Sequence, residues 1–131
     1  MSPAAEGAAE IPSLSVAPIS RAALALFAGA SGDHNPIHID LDAAHSAGLE
    51  DVFAHGMLSM AYVGRLLTNW VPQRAIRSLY VRFAAITPVH AQPACAARVT
   101  AVKDGQATLA LTVTLADGTT TLIGDAVIDL V

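Results

Sequence analysis

From residue 77 onward the apolar side chains recur at every second position, and this restricts the fold more than any other feature of the chain. Leu79, Val81, Phe83 and Ala85 alternate with Ser78, Tyr80, Arg82 and Ala84. Ala107, Leu109, Leu111, Val113 and Leu115 alternate with Thr108, Ala110, Thr112 and Thr114. A period of two belongs to strands that bury one face. Asp104-Gly105 and Asp117-Gly118 fall between such runs and read as hairpin turns. The pattern predicts strands over about 77–87, 94–103, 107–116 and 120–130, paired as an antiparallel meander.

A helix precedes these strands. In residues 57–70, MLSMAYVGRLLTNW, apolar or small residues fall at Met57, Met60, Ala61, Gly64 and Leu67, with Leu58 and Val63 on the flank. Nearly every face is apolar or small, which predicts a buried helix. Pro72 follows its end, and Trp70 near that end is expected to anchor the core or a subunit contact. Upstream, residues 20–30 favour helix with Ser20 as N-cap, and a short helix is predicted from Asp42 to Ala47, stopped by Gly48. One buried helix followed by a long curved antiparallel sheet is an α+β pattern, the sheet wrapped around the helix.

The 131 residues suit a single domain, expected over 13–131 behind a flexible tail over 1–12. The first ten residues hold two Glu and no Lys or Arg, unlike a secretory signal. No apolar run reaches the ~18 residues of a spanning helix. Cys95 is the only cysteine, which excludes an internal disulfide or a Cys-based zinc cage. A cytoplasmic protein without membrane contact is the simplest expectation. An apolar content of 53% with only 14% charged residues suggests extensive buried surface, a subunit interface included. The net charge of −4 argues against nucleic acid as a partner. Six of the seven basic residues nevertheless lie between Asp51 and Asp104, a stretch without acidic residues. This basic middle would attract phosphates or an acidic partner, or it is ordinary surface charge.

The polar chemistry crowds into residues 31–40, SGDHNPIHID. Three explanations compete. His34 and His38 have the i, i+4 spacing of zinc sites on helices, but Pro36 between them works against the helical turn that such a site needs. A capped turn alone would explain the Asp, Asn and Pro content. An acid–base pair needs Asp33 and His38 together; the Asn35-Pro36 bend would fold the segment back to achieve it. Such a pair suits addition or removal of water, in which one proton is taken and another given.

The run F-x-x-A-S-G-D-H-N-P-I-H, Phe27 to His38, resembles the hydratase-2 motif of MaoC-like dehydratases, the (R)-specific enoyl-thioester hydratases of the hot-dog fold. The downstream A-H-G-M-L, Ala54 to Leu58, also resembles that family and lies at the expected distance. Ala30 departs from the motif, where a larger aliphatic residue is more usual. The resemblance runs from about residue 20 to 130 and implies an α+β hot-dog fold, with an antiparallel sheet around a central helix.

The resemblance implies Asp33 and His38 as the catalytic pair. It implies Asn35 as the residue that positions water or the catalytic side chains, and Gly56 as the residue whose backbone N–H receives the thioester oxygen. His34 falls at the variable position of the motif and receives no catalytic role. Neither metal nor cofactor is implied. The substrate would be an enoyl or 3-hydroxyacyl thioester of coenzyme A or an acyl carrier protein, and the family's habit of pairing two units implies a homodimer. A non-catalytic partner subunit of a heterodimeric dehydratase and a hot-dog thioesterase are the competing functions. His55 is expected to cap or brace its loop, His45 and His90 to lie at the surface or in packing, and Ser59 and Tyr62 to line an acyl pocket or pack. Arg74 and Arg77 are candidates for phosphate or carrier-protein contacts.

Overall fold

A computed structural model describes residues 11–130. Among the described residues, five strands and three α-helices make up the fold. They are β1 (Leu14–Ser15), α1 (Arg21–Ser31), α2 (Leu41–Ser46), α3 (Gly56–Trp70), β2 (Ile76–Phe83), β3 (Ala94–Lys103), β4 (Gln106–Thr114) and β5 (Thr120–Asp129). The strands form one antiparallel sheet in the order β1-β3-β4-β5-β2, and α3 lies against it. This is the α+β hot-dog arrangement.

Local chemistry sets most of the boundaries. Ser20 Oγ accepts from the Ala23 N–H to start α1, and Gly32 at φ 77° ends it. Asp40 caps α2 through the Asp42 N–H, and Gly48 at φ 85° follows. The β3–β4 hairpin closes through Asp104 and Gly105, both left-handed, as a two-residue turn with positive φ requires.

The predicted meander holds for β3, β4 and β5 but not for β2. Instead of pairing with β3, β2 crosses to the opposite edge and pairs with β5, Val81 facing Gly124. No Asx-Gly turn separates β2 from β3. The connection carries Pro88 and Pro93, and it is laced to distant loops by Ala54 N–H to Thr87 O, His90 N–H to Ile19 O and Ile19 N–H to Ala91 O. It closes over the loops ahead of α1 and α3 before β3 begins. The strand also ends sooner than expected, at Phe83 rather than residue 87. β1, two residues long, carries too little pattern to be read from sequence.

Two apolar clusters hold the layers together. Leu109, Leu111, Val113, Leu122, Ala126 and Ile128 on the inner sheet face pack with Val63, Leu66 and Leu67 of α3. Ile11, expected in the tail, is buried in this cluster, and Trp70 packs against it; residues 1–10 lie outside the described residues. Ile19, Leu24, Ala44, Val52, Ala54, Leu58 and Val89 form the second cluster around α1 and α2. Tyr62 joins the two and lines neither cavity of the site; burial raises its phenol pKa.

α3 is buried on one face rather than all round. Leu58, Ser59, Val63, Leu66 and Leu67 face inward, whereas Met57, 55% exposed, and Ala61 face outward and Met60 and Gly64 are half-buried. The inward residues follow a helical i, i+1, i+5, i+8, i+9 spacing that the surrounding small residues hide in the sequence.

Cys95 on β3 is fully buried, and burial pushes its thiol up to about 11. Since thiolate is the reactive form, Cys95 should resist a thiol reagent at pH 8 in the folded protein and react promptly in denaturant. Prompt labelling of native protein would contradict this packing.

Candidate active site

The site begins at the end of α1. Gly32 turns the chain out of the helix, and the Asp33 N–H donates to Ser31 Oγ at 3.2 Å. The Asn35 N–H then donates to Asp33 Oδ1 at 3.2 Å, and Asn35 Oδ1 accepts from the Ile37 N–H at 3.2 Å. These are two successive Asx turns. Pro36 supplies the fixed φ that opens a 3₁₀ turn, Pro36–His38, closed by Ile39 N–H to Pro36 O at 3.0 Å. The capped-turn explanation is thus true of the backbone. Its consequence is that the chain folds back within five residues.

The fold-back brings His38 Nε2 to 4.0 Å from Asp33 Oδ2. The His38 side chain is 8% exposed and that of Asp33 52%, so the carboxylate stands on the solvent side of the imidazole. His38 Nδ1–H donates to the Phe53 carbonyl at 2.7 Å, because a carbonyl can only accept. The other nitrogen, Nε2, is therefore the one left facing the carboxylate. Asp33 is oriented in the same manner: Oδ1 is held by Asn35, and Oδ2 is turned to His38. Asn35 acts here by shaping the turn, its carboxamide oxygen committed to Ile37.

The His38 ring lies between two aromatic neighbours. Phe53 meets it edge-on at 4.7 Å between centroids, and His55 stacks on it at 3.9 Å and 27°. His55 is 2% exposed, and its Nε2–H donates to the Asp33 carbonyl at 3.0 Å. Asp33, His38 and His55 each place one potential ligand atom within 4.8 Å of the others. The stacked rings nevertheless aim their in-plane lone pairs along near-parallel planes, and one nitrogen of each ring is bound to a carbonyl. That is a poor tetrahedral donor set.

Gly56 is the first residue of α3, after His55 as N-cap. Unlike α1 and α2, α3 has no side-chain cap hydrogen bond, so its leading N–H groups are not claimed by a side chain. Gly56 lines a cavity of about 360 Å³ with Phe53, Ala54, Ser59, Phe83, Ala84, Ala85, Ile86, Thr87 and Thr121. Asp33 lines a different one, about 460 Å³, with Phe27, Ser31, Met57, Met60 and Ala61. The carboxylate and the glycine thus border separate cavities, whose linings include the consecutive residues Gly56 and Met57. Both cavities are largely apolar, and Ser59 sits in the first of them.

The remaining histidines and arginines lie apart. His34 is exposed, His45 Nε2 bonds to Glu50 O at 2.9 Å, and His90 is an exposed left-handed residue at φ 72°. Arg77 is paired with Asp129, whose carboxyl is lowered by Gln106 and Arg77 together. Arg74 is in the 3₁₀ turn after α3. Both lie beyond the C-terminal end of a 15-residue helix, which spans ~22 Å from Gly56. Neither lines either cavity. Sequence reasoning missed the Phe53 carbonyl and the His55 stack; only the place of His55 beside Gly56 hinted at the second.

A sequence profile described as "MaoC like domain" matches residues 8–120. The chain belongs to the MaoC-like family. An (R)-specific enoyl-CoA hydratase of Rhodospirillum rubrum is 39% identical over 54 residues, which is 41% of the MaoC-like chain and 38% of that enzyme. The matched stretch therefore spans well under half of that relative. Among solved structures, the (R)-hydratase from A. caviae involved in PHA biosynthesis superimposes with a TM-score of 0.83 at 27% identity, covering 92% of this chain and 93% of that one. The ChsH1–ChsH2 complex from Mycobacterium tuberculosis gives a TM-score of 0.84 at 22% identity over 95% and 97%, a likeness of fold. Among the described residues of the MaoC-like chain, no helix is long and apolar enough to cross a membrane.

Proposed function

We propose that the MaoC-like chain is a hydro-lyase that adds water to trans-2-enoyl thioesters with (R) specificity and, in reverse, dehydrates (R)-3-hydroxyacyl thioesters of coenzyme A or an acyl carrier protein. The observation that carries this is the 4.0 Å spacing of Asp33 Oδ2 and His38 Nε2, with the far side of each group tied to backbone. Two acceptors that share one water's donors stand about 4.4 Å apart if each lies about 2.8 Å from its oxygen. The observed spacing suits that arrangement. The relatives named as (R)-hydratases support the reaction class.

In the hydration direction Asp33 takes a proton as the water oxygen bonds to C3, and His38 Nε2 accepts the water's second hydrogen bond and aims it. Electron density moves to the thioester oxygen, which Gly56 N–H receives at the uncapped start of α3. The protonated Asp33 carboxyl then returns its proton to C2. Both new bonds form on one face, and no other oxidant, reductant or ion is needed.

Gly56→Ala tests the oxyanion assignment. A Cβ there would stand 3.2 Å from three Phe83 ring carbons. The neighbour is a side chain rather than backbone, an adjustment of a few tenths of an ångström relieves the contact, and Ala is the better helix former, so stability should change by less than ~1 kcal/mol. The methyl and the displaced ring fill the cavity beside the N–H. A fall in kcat/KM of about tenfold or more, with an unchanged melting temperature, is expected; wild-type kcat/KM would remove the oxyanion role.

A second copy is proposed to pair along β2, an eight-residue edge strand that exposes Tyr80 and Phe83. An unpaired edge of this kind invites association. The deciding assay for the function is hydration of crotonyl-CoA, followed by loss of enoyl absorbance, with chiral analysis of the alcohol. Formation of the (R)-alcohol supports the proposal. Release of free thiol would make the chain a thioesterase, and no reaction would leave it a partner subunit.

A further inference from the structure

His55 touches both members of the catalytic pair, yet the mechanism above assigns it no step. Its Nε2–H holds the Asp33 carbonyl across 22 residues of sequence, its ring supports the His38 ring at 3.9 Å, and its backbone leads directly into Gly56. On its other side the Phe27 ring meets it edge-on at 5.0 Å. The carbonyl fixes the tautomer, since it must receive a hydrogen from Nε2. Nδ1 is then a buried acceptor with no hydrogen-bond partner among the described residues. A side chain kept only for packing would do better without that atom, because an unpaired buried polar group is costly. What a phenyl ring could not supply in its place is the N–H to Asp33.

From this, and resting on the hydratase function proposed above, we propose that His55 is a positioning residue that sets the Asp33–His38 separation through two independent contacts. The N–H arm fixes where the Asp33 backbone stands. The ring arm fixes the plane of His38. With either arm lost, the carboxylate and imidazole drift from the spacing that one water can bridge, while substrate binding in the two cavities is little changed. The effect should therefore fall on kcat rather than KM.

Two variants separate the arms. His55→Phe keeps a stacking ring and removes the N–H. His55→Gln removes the ring and keeps an amide N–H that reaches the Asp33 carbonyl. Both should melt within a few degrees of wild type. His55→Phe should lose about tenfold to a hundredfold in kcat on crotonyl-CoA with KM changed less than about threefold. His55→Gln should recover part of that loss. In amide and imidazole NMR spectra, His55→Phe should shift the His34 amide, whose peptide group carries the Asp33 carbonyl, and leave the His38 ring resonances close to wild type, and His55→Gln should do the reverse. Wild-type kcat in His55→Phe, or a His34 amide that does not move, would overturn the proposal. The NMR arm reads positioning whether or not the chain hydrates enoyl thioesters, so an inactive wild type with the expected shifts would count against the hydratase function and not against the role of His55.

Discussion

Asp33→Asn is expected to fold as the wild type does and to lose at least ~100-fold in kcat, about 2.7 kcal/mol of barrier. The carboxamide keeps the size of the carboxyl and can still accept the Asn35 N–H at Oδ1, so the Asx turn survives. The side chain is 52% exposed, and its replacement leaves no buried group unpaired. What is lost is the base at Oδ2. His38→Ala should cost at least as much in rate, and it removes a buried ring that packs on Phe53 and His55. His38→Gln, which offers an amide in place of the ring, is the better control for folding. Circular dichroism and thermal melts establish the fold, and initial rates on crotonyl-CoA establish the loss. Near-wild-type turnover in Asp33→Asn would remove the acid–base assignment.

The largest expected effect on stability belongs to Gly124→Ala, far from the chemistry. A Cβ at Gly124 would collide with the carbonyl oxygen of Tyr80 and crowd Val81 on β2. The obstacle is backbone in a paired strand, Val81 facing Gly124, and it cannot turn aside as a flexible side chain would. Relief requires β2 to separate from β5 locally, at a cost of ~3 kcal/mol or more. For a domain of this size that lowers the melting temperature by about 10 °C. Gly29→Ala is the matching control. Nothing lies within 4 Å of a Cβ there, at an exposed position in the last turn of α1, so the gain in helix propensity should leave the protein unchanged or slightly more stable. Equal melting temperatures for the two variants would mean that β2 and β5 do not approach each other as described.

What could be read from the sequence follows how local each feature is. The Ser20 cap, the stop at Gly48, the Asp104-Gly105 hairpin and the alternation of β4 depend on neighbours a few residues apart, and each stands near its predicted position. The place of β2 does not. Its partner was decided by a ten-residue connection whose hydrogen bonds reach back to Ile19 and Ala54, and no local pattern records that choice. The exposed side of α3 is not legible in the sequence, because Met57, Ala61 and Gly64 look as apolar as the residues that are in fact buried. The site shows the same division. The Asx turns that fold Asp33 back toward His38 are written in D-x-N-P-x-H. The Phe53 carbonyl that orients His38 offers no side-chain signal at all, and the brace expected at His55 acquired its partners, the Asp33 carbonyl and the His38 ring, only in the structure.

The central claim is that Asp33 and His38 work as a unit on a single water molecule, and a double-mutant cycle tests it most directly. kcat/KM on crotonyl-CoA is measured for wild type, Asp33→Asn, His38→Gln and the double variant. Groups that act together lose most of their effect with the first removal. The expected result is a double variant within a few-fold of the worse single variant. A double variant whose loss equals the product of the two single losses would show that the groups act independently, and would contradict the shared water.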